Sequence, residues 1–102
     1  MLESSAAQML SRIHVTVSGR VQGVAYRYFA EREALEWKLT GWVRNTFNGR
    51  VEAVAEGEKD SLERFVERLR QGPRLARVER VDVEWEEPRG EFSDFRIGFS
   101  AL

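Results

Sequence analysis

In the stretch HVTVSGRVQGVAYRYFAERE, Gly19, Gly23 and Arg27 recur at a spacing of four. Glycines permit φ values that let successive backbone N–H groups converge on one centre. A helix starting just beyond adds its own unpaired N–H groups and the positive end of its dipole. Such a loop, made of Gly19, Arg20, Val21, Gln22, Gly23 and Val24, would hold a tetrahedral oxyanion. Arg27, in the first helical turn, would grip the same anion with two parallel hydrogen bonds. Spacing alone does not decide this, because a glycine-rich turn with solvated arginines is the commoner outcome.

The flanking pattern supplies the elements that such a loop needs. Ile13, Val15 and Val17 alternate with His14, Thr16 and Ser18, the period of a half-buried strand. From Tyr26 the period changes: Tyr26, Phe29, Ala30, Glu33 and Trp37 predict a helix over 26–39. TGWVRN reads as a second strand. Asn48-Gly49 is a two-residue hairpin signal, both central positions of a type I′ turn needing positive φ. RVEAVAEG is then an antiparallel third strand. Asp60, with Glu63 three residues on, predicts the cap of a helix over 60–71, whose buried stripe is Leu62, Phe65, Val66 and Leu69. Gly72-Pro73 stops it. ARVERVDVEWEE reads as a fourth strand, and FRIGFS as a last one after a Pro88–Gly90 loop. The order is βαββαβ, closed by that last strand. It predicts a ferredoxin-like α+β sandwich, mostly antiparallel, with two helices on one face and the other face free or thinly covered.

Composition bounds the chemistry. The 102 residues fit one domain, with 42% apolar residues to fill a core. There is no cysteine, which removes disulfides, thiol nucleophiles and cysteine-ligated metals and is compatible with a reducing cytoplasm. The formal charge of −1 gives no global basic field for nucleic acid or membrane. The 16 basic residues are arginine except for Lys38 and Lys59. Residues 1–12 read as a tail before a domain over 13–102, with no signal-peptide pattern; Leu2, Ala6, Met9 and Leu10 would make at most a turn or two of amphipathic helix. His14 reads as a sheet-face residue, EREALE and EWEE as solvated faces rather than metal clusters, and Trp37 and Trp85 as core edges.

GRVQGVAYR resembles the signature of the acylphosphatase family, and GWVRNT, Gly41 to Thr46, resembles its second motif. The resemblance extends through NGRVEAVAEG and GPRLARVERVDVEW to the closing FRI, over roughly Ile13 to Phe99. Ala25 departs from it, standing where glycine is commonest, and is expected to be a tolerated replacement. Tyr26 replaces the commoner phenylalanine and adds a hydroxyl. The resemblance implies a cytoplasmic hydrolase that cleaves carboxyl-phosphate mixed anhydrides and uses no cofactor or metal. Inorganic phosphate would be product and inhibitor. It implies that the amides of Gly19 to Val24 and Arg27 hold the phosphoryl group and that Asn45 orients the attacking water. A monomer is expected, with no nucleic-acid or membrane partner. Arg20 and Arg44 either add positive potential for the substrate or make structural salt bridges.

Two other classes fit the element order less well. RNA-recognition modules share βαββαβ but stack bases on aromatics in the central strands. The third strand here, Val51 to Glu56, has none. A non-catalytic anion sensor would share the cradle and would bind phosphate without turning over an acyl phosphate.

Overall fold

The computed structural model describes residues 10–99. β1 spans Leu10–Arg20, α1 Tyr26–Glu36, β2 Thr40–Asn45, β3 Val51–Glu58, α2 Lys59–Gln71, β4 Arg77–Glu86 and β5 Phe95–Ile97. One five-stranded sheet has the order β4-β1-β3-β2-β5. All neighbours are antiparallel except β2 and β5. Ile13, Val15 and Val17 alternate inward and join Ala53, Ala55 and Val43 in a core closed by Leu62, Phe65 and Leu69 of α2 and by Tyr26, Ala30 and Ala34 of α1. This is the ferredoxin-like α+β fold, with both helices on one face.

Several local expectations are corrected. β1 begins at Leu10, so Leu10, Ser11 and Arg12, assigned to the tail, belong to the strand; the rest of the suggested tail helix lies outside the described residues. α1 stops at Glu36 rather than Leu39. Lys38 turns left-handed at φ 58, and the N–H groups of Lys38 and Leu39 donate to Leu35 and Ala34 carbonyls at 3.1 and 2.8 Å. That is a Schellman end, in which lysine takes the place usually given to glycine. α2 begins at Lys59, after Glu58 and without a side-chain cap; Asp60 acts instead inside the first turn, on the dipole. In the hairpin only Gly49 has positive φ, at 86. The Gly49 N–H donates to Thr46 and the Thr46 N–H to Arg50, so the loop has three residues, a type I turn closed by a left-handed glycine. Only Phe95–Ile97 of the last strand pairs with β2, although the Gly98 N–H still donates to Val43.

The open face is covered at one end. Arg12 and Glu56, only 5% and 4% exposed, pair at 2.9 Å beneath the segment joining β4 to β5. The N–H groups of Arg89 and Gly90 donate to Glu56 at 2.8 and 3.0 Å, and Arg12 lies under the Phe92 ring. Burial alone would raise the Glu56 carboxyl, but the Arg89 N–H, the Arg12 guanidinium and the Gly90 N–H outweigh it and hold the group below its ordinary value.

Candidate active site

The sheet register brings the expected site residues to one end. Asn45 pairs with Val51 across β2 and β3, and Val51 with Val17 across β3 and β1. β1 then runs from Val17 into the loop, so loop and asparagine share the same end of the sheet. Gln22 joins them. Its Nε2 donates both hydrogens, to the carbonyls of Thr46 and Arg50, each at 2.8 Å. The side chain of Gln22 is thereby committed to the β2–β3 hairpin, and any contact with an anion falls to its backbone.

The loop's own residues explain its shape. Val21 and Val24 are buried at 1% and 8% exposure, pinning both ends of the loop to the core. Gly23 has φ 74 and Ala25 φ 63, with negative φ at Val24 between them. Alternating signs of φ turn successive N–H groups to one side, the geometry of an anion-binding nest. Gly19, at φ 125, has another reason to be glycine: a Cβ would meet the Arg77 carbonyl oxygen at 2.2 Å, where β1 shifts register against β4. A Cβ on Gly23 would meet nothing within 4 Å.

Ala25 sits at the start of α1 and makes no side-chain cap, and the first turn holds no acidic residue. The N–H groups at this end therefore have no capping side chain, and no carboxylate offsets the dipole. The left-handed backbone at Ala25 also gives glycine a physical reason at this position, beyond the neutral replacement expected. Tyr26 anchors the helix that carries Arg27. Its buried hydroxyl donates to the Leu69 carbonyl at 2.6 Å, and burial pushes the phenol's pKa well up.

Arg27 is half-buried. Ion pairs among the described residues engage Arg12, Arg44, Arg68, Arg80 and Arg96. Arg27, Arg20, Arg50, Arg74 and Arg77 enter none of them. The alternatives left open for Arg20 and Arg44 thus separate. Arg44 pairs with Glu52 at 3.0 Å and stacks over Trp42, which makes it structural. Arg20 is exposed and joins no ion pair among the described residues. Asn45 carries the feature that sequence reasoning missed: its Oδ1 is shielded from solvent and has no hydrogen-bond partner among the described residues. No sequence signal shows whether an asparagine's amide is already taken by its neighbours.

His14 lies elsewhere, on the open face. It meets Glu52 at 2.6 Å through Nε2, and with Glu84 and Glu86 it brings three potential metal-ligand atoms within 4.8 Å of one another. Glu52 is held down by His14 and Arg44 against the upward push of its burial. His14 stands five residues upstream of Gly19 in an extended strand, about 16 Å away at 3.3 Å per residue.

The profile of the Acylphosphatase family matches residues 13–97. The chain belongs to the acylphosphatase family. The acylphosphatase of Thermus thermophilus is 56% identical over 81 residues, 79% of this chain and 92% of that one. The acylphosphatase of Moorella thermoacetica is 51% identical over 88 residues, 86% of this chain and 94% of that one. The structure of an acylphosphatase from Coxiella burnetii superposes with a TM-score of 0.86 at 43% identity, covering 96% of this chain and 100% of that one. Membership places the chain among hydrolases acting on acid anhydrides. Among the described residues no helix is long and apolar enough to cross a membrane.

Proposed function

We propose that the chain hydrolyses carboxyl-phosphate mixed anhydrides to a carboxylate and inorganic phosphate. The amides of Gly19 to Val24 and the Arg27 guanidinium hold the phosphoryl group, and Asn45 orients the water. The observation that carries this reading is the pairing of an uncapped amide loop with an uncommitted asparagine acceptor, held together by Gln22.

The chemistry suits so sparse a site. The leaving carboxylate has a conjugate acid near pKa 4, so it departs without a general acid. A loose phosphoryl-transfer transition state spreads charge over its equatorial oxygens. Fixed N–H dipoles and a guanidinium meet that charge without reorganising. Water attacks phosphorus in line as the P–O bond to the acyl group breaks. The water's proton passes to a phosphoryl oxygen, and the electron pair leaves with the carboxylate. When substrate binds, the Asn45 side chain turns its shielded Oδ1 out to accept a hydrogen bond from the water, which directs the water's lone pair toward phosphorus. Neither a metal nor a covalent intermediate is required.

The test is turnover. Purified protein is mixed with benzoyl phosphate, and anhydride loss is followed with and without a chelator. Hydrolysis that survives the chelator and is inhibited competitively by inorganic phosphate is the expected result. Phosphate binding without hydrolysis would establish an anion sensor in its place. Loss of activity with the chelator would overturn the metal-free mechanism.

A further inference from the structure

Arg20 and Arg77 stand directly opposite each other, as Cα partners across β1 and β4. Such partners on an antiparallel pair have Cβ atoms about 4.5–5.5 Å apart, and like charges there are destabilising. Both side chains are exposed. Neither joins the ion pairs formed among the described residues, although Glu79 lies nearby, its side chain bordering Gly19. Arg50, which also joins no ion pair among the described residues, borders the same loop, because its carbonyl holds Gln22. The chain carries 17 acidic residues against 16 basic ones, yet the ion pairs among the described residues engage Arg12, Arg44, Arg68, Arg80 and Arg96 and leave Arg20 facing Arg77. An uncompensated guanidinium pair beside the loop is a local cost that folding does not explain.

We infer that Arg20 and Arg77 form a second anion subsite for the acyl end of the substrate. The preferred acyl phosphate then carries a further negative group, a carboxylate or a second phosphate, on its acyl portion. This rests on the reading of Gly19 to Val24 as the phosphoryl cradle. Arg20 is the last residue of β1 and adjoins Val21, so an anion on the pair lies next to that loop. Two guanidiniums offer a planar donor array suited to a carboxylate or phosphate. Water screens such a contact at the surface, so the expected preference is about tenfold, or about 1.4 kcal/mol.

The experiment compares benzoyl phosphate with 3-carboxybenzoyl phosphate, which differ by one charged group at a similar size. The unaltered protein is expected to show a kcat/KM about tenfold higher for the carboxylated compound, mostly through KM. In Arg77→Gln that ratio is expected to fall to about one. Arg32→Gln, which removes the same charge from the exposed face of α1, is expected to leave the ratio unchanged. The melting temperature of Arg77→Gln is expected to match or exceed the parent's, since a like-charge pair is relieved. A ratio near one in the unaltered protein overturns the inference. So does an equal loss on both compounds in Arg77→Gln, which would assign the guanidinium to the phosphoryl group, or an equal fall of the ratio in Arg32→Gln, which would assign the preference to overall charge. Failure to hydrolyse either compound would instead sink the acyl phosphatase reading beneath it.

Discussion

Asn45→Ala separates alignment of the water from support of the strand. Asn45 ends β2, and Oδ1 has no donor among the described residues. A shielded acceptor without a partner costs about 1–3 kcal/mol of folding free energy, and truncation removes that cost. Truncation also loses the packing of a half-buried side chain, roughly 1 kcal/mol. The net effect on stability is therefore near zero or favourable. Catalysis should respond differently, because alignment matters mainly on the way to the transition state. Loss of one preorganised polar group lowers kcat by about 10²-fold, about 2.7 kcal/mol. The inhibition constant of inorganic phosphate should change less than about threefold, since the loop amides and Arg27 remain, a difference under 1 kcal/mol. The assay measures kcat, phosphate inhibition and melting temperature on one preparation. A variant that melts several degrees lower yet turns over normally per folded molecule would refute the reasoning. It would show that the amide supports β2 and leaves the water to another group.

Arg27→Lys keeps the charge but loses the planar two-point grip, so phosphate affinity and kcat should each fall about tenfold or more, with a larger loss in Arg27→Ala; near-normal kinetics in the lysine variant would remove the bidentate contact. Ala25→Gly relieves a left-handed alanine at φ 63. That strain costs about 1–2 kcal/mol, and the greater freedom of an unfolded glycine takes back part of it. The melting temperature should rise by about 4 °C, the scale for 1 kcal/mol in a domain of this size, and a fall would mean that the methyl group packs usefully. Glu56 has a folded pKa below its unfolded one, so its contribution is full above the ordinary carboxylate range and is lost as pH falls through the lowered value. Acid unfolding followed by circular dichroism should therefore be steeper in the parent than in Glu56→Gln, which should be less stable near neutral pH; equal slopes would show that the Arg12–Glu56 clamp contributes nothing there.

The amino-acid sequence by itself determined the class and order of the elements. Alternation at Ile13, Val15 and Val17 and the i, i+3, i+4, i+7 stripe of Leu62, Phe65, Val66 and Leu69 are local patterns, and a strand or helix must bury them on one side. It also carried Gly19, Gly23, Arg27 and Asn45, whose spacing and neighbouring residues are legible without coordinates. Element ends were less legible, because they depend on which backbone groups find partners. The carbonyls of Leu35 and Ala34 end α1 by accepting from the N–H groups of Lys38 and Leu39, two and three residues past Glu36. Gly49 alone takes positive φ because the hairpin closes between Thr46 and Arg50. Only the tertiary structure decided what each polar side chain meets. Arg44 finds Glu52 because β2 pairs with β3 in one register, and Arg20 faces Arg77 because a bulge shifts β1 against β4. Gln22 binds the hairpin 24 and 28 residues onward. Such partners lie far apart along the chain, and their identities follow from strand register. Shifting a register by one residue would exchange every contact on the face, so no local pattern of residue types carries them.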